Sequence, residues 1–220
     1  MTLARQYWDL LAADYQKALT ISCDAFHVGP LLAGGGELGL LPADLAGMRC
    51  LELGCGAAQN SVFLARQGAV CTAVDISVKQ LEHGRRLART HGVDIDLIEG
   101  DIMALPATVE GDYDFIHSVY AIPFVEDQRA VIDQAVQRLR PGGRILLSTA
   151  HPLFTGEWLA LDEDEVGIFI QDYWSPVPDV RTLPDGRVGA CCQAVPISEL
   201  VTWLTDAGLV VEQLLEPRPL

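Results

Sequence analysis

Positive charge is scarce in this sequence. The 220 residues hold 15 lysines and arginines, with lysine only at Lys17 and Lys79, against 30 aspartates and glutamates, so the net charge is −15. Proteins that bind DNA or RNA draw much of their affinity from basic side chains on phosphates. The composition therefore argues against a nucleic-acid substrate and favours neutral or cationic small molecules.

Long apolar runs and paired cysteine motifs are also missing. No run approaches the ~20 residues that a membrane helix needs, and no apolar core of a signal peptide follows the amino terminus. The six cysteines show no CxxC spacing, and Cys50, Cys55 and Cys71 fall in or beside apolar runs. We therefore expect free thiols, no metal site, no membrane attachment and a cytoplasmic location.

What the chain does have is enough apolar residues, half of the total, for a sizeable core. Their periodicity predicts strands at 49–53, 70–74, 95–99, 113–118, 144–149 and 209–215. It predicts helices at 4–17, 59–67, 78–91, 128–139 and 198–207. This alternation predicts an α/β fold, a doubly wound, Rossmann-like, mostly parallel sheet with helices on both faces.

Two segments stand outside the alternation. Residues 1–47 are predicted to form an N-terminal helical cap in front of a core domain at 48–220. Within the core, 151–195 is rich in proline, glycine, acids and aromatics. Loops this long in compact domains are usually functional or disordered, and we interpret this one as a substrate cap. Pro141-Gly142-Gly143 is interpreted as a tight stop after the fourth predicted helix, 128–139.

The segment Glu52-Leu53-Gly54-Cys55-Gly56 joins a predicted strand to a predicted helix. Glycine has no Cβ and accepts positive φ, so a ligand can press against bare backbone there. The start of the following helix offers free N–H groups. A GxG turn alone is common, and its interpretation as a binding site depends on its neighbours.

Two acids follow the next two predicted strands. Asp75 lies 19 positions after Gly56, close to the roughly 20-residue spacing at which a strand-end carboxylate binds ribose hydroxyls. Asp101 follows the third strand, and ligands of open α/β sheets bind at these carboxyl ends. Gln59 replaces the third glycine of a dinucleotide fingerprint, and residues 52–62 contain no lysine or arginine for a pyrophosphate. An adenosine-containing ligand that bears positive charge suits the segment better.

Several segments together resemble the class I S-adenosylmethionine-dependent methyltransferases. They are Glu52–Gly56, Val74–Ser77, Gly100–Ile102, Tyr113–Ile116 and Leu139–Arg144. The similarity runs from about residue 48 to 150, in the family's order and spacing. The flanks Phe26–Pro30 and Ala150–Phe154 resemble a bacterial branch that acts on small molecules. The resemblance implies S-adenosylmethionine as cofactor and S-adenosylhomocysteine as product.

The resemblance also implies roles at the cofactor. Gly54 and Gly56 would admit its methionine half, and Asp75 would accept both ribose hydroxyls. Asp101 would accept the adenine amino group. Glu52 would orient the loop or meet the cofactor's ammonium, and Tyr15 would close over the sulfonium. The full implied set is Tyr15, Glu52, Gly54, Cys55, Gly56, Asp75, Ile76, Gly100, Asp101, Ile102, Ser118 and Val119.

Methyl transfer needs few catalytic groups, because alignment of the nucleophile with the methyl supplies much of the acceleration. A general base is needed only where the nucleophile carries a proton. The candidates are His151 after the fifth strand, His27 in the cap and, more weakly, Tyr120. For either histidine the alternative is a structural hydrogen bond.

Two other functions stay open at this point. A nicotinamide-dependent dehydrogenase would share the fold, but no Tyr-x-x-x-Lys motif is present. A protein that binds S-adenosylmethionine without methylating, for instance a cyclase, would share the binding motifs. We expect a small-molecule substrate acting through O, N or C, and no nucleic-acid or membrane partner. The acceptor's identity and the choice between monomer and homodimer stay open.

Overall fold

The computed structural model describes residues 2–19, 21–29, 32–153 and 172–218, and the backbone of 157–162 and 165–169. The helices are α1 Leu3–Ala18, α2 Gln59–Arg66, α3 Val78–His91, α4 Gln128–Val136 and α5 Ile197–Asp206, with a 3₁₀ turn at Ile122–Phe124. The strands are β1 Arg49–Leu53, β2 Val70–Asp75, β3 Ile95–Glu99, β4 Tyr113–Val119, β5 Leu139–Ser148, β6 Glu157–Asp162, β7 Glu165–Phe169, β8 Asp179–Thr182 and β9 Val188–Cys192. None of the helices in these ranges is long and apolar enough to cross a membrane.

The first five strands form one parallel sheet in the order β3-β2-β1-β4-β5. From β1 the chain winds outward to β2 and β3, then returns to place β4 on the other side of β1. The direction of winding therefore reverses between β1 and β4, and ligands of open α/β sheets bind at the carboxyl ends beside such a reversal. The predicted fold class is confirmed.

Alternate residues of the central strands face two separate cores. On one face Cys50 and Phe115 pack with Phe26 and with Val62 of α2. On the other face Leu51 and Ile116, with Leu53, pack with Val131 and Ala135 of α4. Both faces of the sheet are thus covered, which explains why its central strands β1 and β2 are largely apolar.

The predicted substrate cap contains two hairpins, β6–β7 and β8–β9. Phe154 and the side chains of 155–171 lie outside the described residues. The β8–β9 hairpin packs on α1, where a Cβ added to Gly189 would lie 2.7 Å from the Tyr7 ring. The N-terminal helix and this hairpin therefore meet on the same side of the molecule.

Two boundaries differ from the prediction. Helix α4 ends at Val136, and β5 already begins at Leu139, which pairs with Tyr113. Pro141-Gly142-Gly143 is therefore a bulge inside β5, made possible by φ +76° at Gly142, rather than a stop before the strand.

The strand predicted at 209–215 is wrong. Residues 209–218 have no regular secondary structure, and Val210 is 85% exposed. The segment meets the rest of the chain through side chains, such as Glu212 with Arg144 of β5 at 3.4 Å. Its apolar residues suggested a strand, but a strand also needs a partner for its backbone groups.

Candidate functional site

The loop after β1 is held by its neighbours on both sides. The N–H groups of Gly54 and Cys55 both donate to the Val74 carbonyl of β2, at 2.9 and 3.0 Å. Gly54 has φ +69°, and a Cβ there would collide with the Cβ of Ala121, which follows β4. Only glycine satisfies both constraints without strain, so Gly54 allows the close approach of β1 and β4 where the winding reverses.

Gly56 serves a different purpose. It also has positive φ, +55°, but a Cβ there would meet only the Gln80 Oε1 atom, at 4.0 Å. Its N–H donates to Asp75 Oδ2 at 2.7 Å. The space above Gly56 is thus open, and a ligand could approach the bare backbone there. It is at this open glycine loop that the resemblance to the methyltransferases implies a place for the methionine half of the cofactor.

Asp75 lies buried at the end of β2. Its Oδ2 accepts the Gly56 N–H and its Oδ1 accepts the Ser77 N–H, at 2.7 and 2.8 Å. Burial raises the pKa of Asp75 to about 6, against the lowering effect of these two hydrogen bonds. A carboxylate offers about four lone-pair sites, so two remain for a pair of ligand hydroxyls.

The end of β3 completes the same edge. The Gly100 N–H donates to the Asp75 carbonyl at 3.0 Å, and Asp101 Oδ1 accepts the Met103 N–H at 2.9 Å. Ile102 is buried, and its Cδ1 lies 3.7 Å from a Cβ placed on Gly54. Ile76, beside Asp75, is half-buried. The structure therefore brings together the ends of β1, β2 and β3, as the sequence predicted.

Glu52 is directed to the start of α2. Its Oε2 accepts both the N–H and the hydroxyl of Ser61, at 3.1 and 2.5 Å. Burial raises the pKa of Glu52 to about 8. Its Oε1 lies 4.0 Å from Nδ1 of His117, a buried imidazole whose nitrogens have no partner among the described residues. Of its two predicted roles, these contacts support orientation of the loop.

The end of β4 forms the other wall of the crevice. Ser118 is fully buried, and its hydroxyl donates to the Leu53 carbonyl at 2.9 Å, which ties β4 to β1. Val119 is half-buried. Tyr120 has φ +60°, an uncommon conformation for a non-glycine residue, and its N–H donates to the Ser148 carbonyl at 2.8 Å. Buried Cys55 lies in the loop opposite.

Helix α1 crosses this edge of the sheet. Asp9 Oδ1 accepts the Ser77 hydroxyl at 2.7 Å and the Lys79 N–H at 3.1 Å. Gln16 joins Gln80 of α3 to Gln59 of α2, with amide distances of 2.9 and 2.8 Å. Tyr15 is half-buried on the same helix, with its ring 6.5 Å from Trp8.

The candidate bases have different surroundings. The His27 backbone exchanges two 2.9 Å hydrogen bonds with the Asn60 amide, and burial lowers the pKa of His27 to about 4. The segment around it also receives the Ser148 hydroxyl at the Val28 carbonyl. His151 Nε2 lies 2.7 Å from a Glu216 oxygen, and its Nδ1 accepts the Leu153 N–H at 3.1 Å.

Sequence reasoning missed several polar residues at this edge. From the sequence, Gln59 is considered only as the residue that replaces a glycine, and Gln16, Gln80 and Asp9 are given no role. Their amphipathic spacing was visible, but their partners are more than 40 residues away in the chain. Arg181 of β8 carried no signal in the sequence.

Known proteins match this chain over the same elements. Residues 50–143 match the family model of a methyltransferase domain. The ubiquinone biosynthesis O-methyltransferase of Xylella fastidiosa is 31% identical over 170 residues, which are 77% of this chain and 64% of that protein. Its namesake from Xanthomonas oryzae pv. oryzae (strain PXO99A) is 34% identical over 175 residues, covering 78% and 66%. The chain thus spans less than two thirds of the Xylella relative.

A solved structure supports the same assignment. The S-adenosylmethionine dependent methyltransferase from Mesorhizobium loti aligns with a TM-score of 0.68 and 26% identity, over 84% of each chain. The matched family model runs from β1 into β5 and includes the three strand ends described above. The segment from β1 into β5 is a methyltransferase domain, and the chain shares the fold of the class I S-adenosylmethionine-dependent methyltransferases.

Proposed function

We propose that this protein transfers a methyl group from S-adenosylmethionine to an oxygen of a small molecule. The observation that carries the proposal is the Asp75 carboxylate, which bonds the Gly56 N–H beside the open glycine cradle and keeps lone pairs free. The choice of oxygen follows the relatives, which are named O-methyltransferases. When bound, S-adenosylmethionine supplies a methyl group that is attached to positively charged sulfur. The acceptor displaces the sulfur directly, and S-adenosylhomocysteine is the leaving group.

We assign the cofactor contacts residue by residue. Asp75 accepts the two ribose hydroxyls through its remaining lone pairs, and Asp101 accepts the adenine amino group through the oxygen that Met103 leaves free. Ile76 covers one adenine face, and the Ile102 N–H lies near an adenine ring nitrogen. The methionine half lies against the loop of Gly54, Cys55 and Gly56. The neighbouring strand ends, at Gly100, Ser118 and Val119, complete its binding site. Tyr15 covers the site from α1.

In this proposal Glu52 does not contact the cofactor but holds the loop that does. Its hydrogen bonds to Ser61 hold the first turn of α2, and α2 follows directly on the glycine loop. The N-cap residue Ala58 gives no side-chain cap to this helix, so the Glu52 carboxyl provides what a capping side chain usually does. A rigid loop keeps the cofactor in line with the acceptor, which is the main demand of the reaction.

For the proton of the acceptor hydroxyl we propose His27. Its depressed pKa keeps the imidazole in the base form at neutral pH, and Asn60 fixes its backbone at the start of α2. Such a weak base suits an acceptor hydroxyl that is itself acidic, such as a phenol. His151 already uses both ring nitrogens, and burial raises the pKa of Tyr120, which keeps its hydroxyl protonated at neutral pH.

The remaining assignments concern the whole chain. We propose that 1–47 and the insertion 151–195 form a cap over the 48–220 core, supported by the contact of Tyr7 with Gly189. All six cysteines are free thiols, which suits a cytoplasmic enzyme. Light scattering after size exclusion distinguishes a monomer from a homodimer.

The first test is binding. Calorimetry should show S-adenosylhomocysteine binding in the micromolar range or tighter, about −8 kcal/mol or better, and no binding of NAD. Incubation of labelled S-adenosylmethionine with a panel of phenols should then give a product heavier by one CH₂. Binding without any methylated product, or an isomer of the substrate, would favour a non-methylating enzyme on the same fold.

A further inference from the structure

The β8–β9 hairpin directs one arginine toward the methyl-transfer crevice. Arg181 pairs with Ala190 across the hairpin, and Asp179 pairs with Cys192, so these four side chains share one face. On that face Cys192 packs with Ala150 and Phe124 in a small buried cluster. The face therefore looks toward the carboxyl edge of the sheet.

An aromatic cluster lies on one side of the Arg181 guanidinium. Its Cζ lies 5.9 Å from the centre of the Phe124 ring, and the Trp8 ring lies edge-on to Phe124 at 5.1 Å. Tyr7 and Tyr15 pack on Trp8 at 5.2 and 6.5 Å. Residues of α1, the 3₁₀ turn and the hairpin thus form one aromatic wall that ends at a guanidinium.

The charge of Arg181 reaches both tyrosines of the crevice. Burial raises the pKa of Tyr15 and of Tyr120, and in each case the positive charge of Arg181 partly opposes that rise. Tyr120 directly follows β4, at the point where the sheet winding reverses. The guanidinium is therefore close to the position at which the methyl donor and its acceptor would meet.

The ion pair with Asp179 does not use all the N–H donors of the Arg181 guanidinium. The Nε and Nη2 atoms of Arg181 both donate to one oxygen, Asp179 Oδ2, at 3.1 and 2.7 Å. Arginine has five N–H donors, and the side chain keeps 42% exposure. Asp179 and the Tyr7 hydroxyl together orient the guanidinium, and donors remain that a ligand can reach.

Arg187 offers a contrast on the same hairpin. It forms the same two-residue ion pair, with Asp185, at 2.8 and 2.7 Å. Among the described residues, no aromatic ring makes a cation–π contact with its guanidinium. Its contact with α1 is a long hydrogen bond of 3.4 Å to Gln6. An ion pair that only stabilises the hairpin would need no aromatic wall, so the surroundings of Arg181 call for a second role.

We propose that Arg181 binds a carboxylate of a ligand in the methyl-transfer site and thereby determines which ligands the site accepts. The inference rests on the proposed function. Two ligands could bring this carboxylate, an acceptor that is an aromatic acid or the methionine half of the cofactor. Guanidinium groups recognise carboxylates through paired hydrogen bonds, and the aromatic wall would hold the ring of an aromatic acid.

The experiment measures binding to the full chain by calorimetry in two arms. One arm uses S-adenosylhomocysteine. The other uses 3,4-dihydroxybenzoate and its uncharged partner 3,4-dihydroxybenzamide, each added to protein already saturated with S-adenosylhomocysteine. The variants are R181Q, D179N and the control R187Q, with circular dichroism and Tm recorded for each.

R181Q should weaken a carboxylate ligand by about tenfold or more, and R187Q should not. A loss confined to the benzoate, with the benzamide unchanged, assigns the carboxylate to the acceptor. A loss for S-adenosylhomocysteine assigns it to the cofactor. D179N should strengthen the same ligand, because it removes a competing acceptor and a negative charge.

Opposite effects of R181Q and D179N distinguish recognition from structure, since both variants break the same ion pair. Equal losses in these two variants, or no difference between R181Q and R187Q in either arm, would overturn the proposal. Wild-type protein that fails to bind S-adenosylhomocysteine at all would instead overturn the proposed function. If R181Q does not fold, D179N alone decides, because weaker or unchanged carboxylate binding in that variant contradicts the proposal.

Discussion

The two glycines of the loop after β1 should fail in different ways when a single methyl group is added. Both have positive φ, +69° at Gly54 and +55° at Gly56. Alanine at either position should therefore cost about 1–2 kcal/mol of folding free energy from backbone strain alone. What separates the two positions is the space that the new methyl group enters.

At Gly54 the methyl group would collide with Ala121 across the β1–β4 crevice, where neither backbone can move without disturbing the sheet. Overpacking of this kind adds about 1–3 kcal/mol, so G54A should lose roughly 2–5 kcal/mol in total. In a domain of this size, each kcal/mol of lost stability lowers Tm by about 2–4 °C, so Tm should fall by roughly 5–15 °C. G56A meets only Gln80 Oε1 at 4.0 Å and should stay within about 2 kcal/mol of wild type.

Binding should reverse this order. The G56A methyl group would occupy the open space above the loop, so S-adenosylhomocysteine should bind at least about tenfold more weakly, a loss of ~1.4 kcal/mol. The assays are calorimetric titration and thermal unfolding of both variants in the same buffer. A G56A protein with wild-type affinity would show that the ligand does not lie over Gly56. A G54A protein with wild-type Tm would show that β1 and β4 are further apart than described.

Three other changes test the remaining assignments. Asp75→Asn should weaken S-adenosylhomocysteine by roughly 2–4 kcal/mol, and wild-type affinity should fall as pH drops through about 6, the raised pKa of Asp75; a pH-independent wild type contradicts the ribose contact. Burial raises the pKa of Glu52 to about 8, so at neutral pH the folded state holds a proton that the unfolded state has lost. The free energy of unfolding should therefore decline by about 1–2 kcal/mol from pH 7 to 9 in wild type. It should not decline in this way in Glu52→Gln. Equal pH profiles for these two proteins would mean that Glu52 is ionised when folded. His27→Ala should lower turnover by ~10²–10⁴-fold and leave the cofactor affinity unchanged. His151→Ala should mainly lower Tm, because it removes the contact of His151 with Glu216. The reverse pattern would assign the base to His151.

Local sequence determined the parallel core and the residues at the carboxyl edge of its sheet. The runs that became β1 to β3 are short and largely apolar, and glycine or an acid stands at the end of each, so strand, turn and strand-end residue could be recognised together. Gly54, Asp75 and Asp101 could be placed at one edge because parallel strands share the direction of their carboxyl ends. The same local evidence misled at 209–215, where apolar residues occur without a neighbouring strand to pair with.

The tertiary structure decided everything that depends on contacts between distant segments. Glu52 bonds Ser61, Gln16 bridges Gln59 and Gln80, and Arg181 lies over the Phe124 ring of the 3₁₀ turn. None of these pairs has a characteristic spacing, because their separation in the chain reflects only how many residues lie between the segments. The family resemblance and the residues at the carboxyl edge of the sheet could thus be predicted from the sequence, since both arise from short strand–loop–helix units. The orientation of the acids and the surroundings of the acceptor were not, since both depend on which distant side chains the fold packs against them.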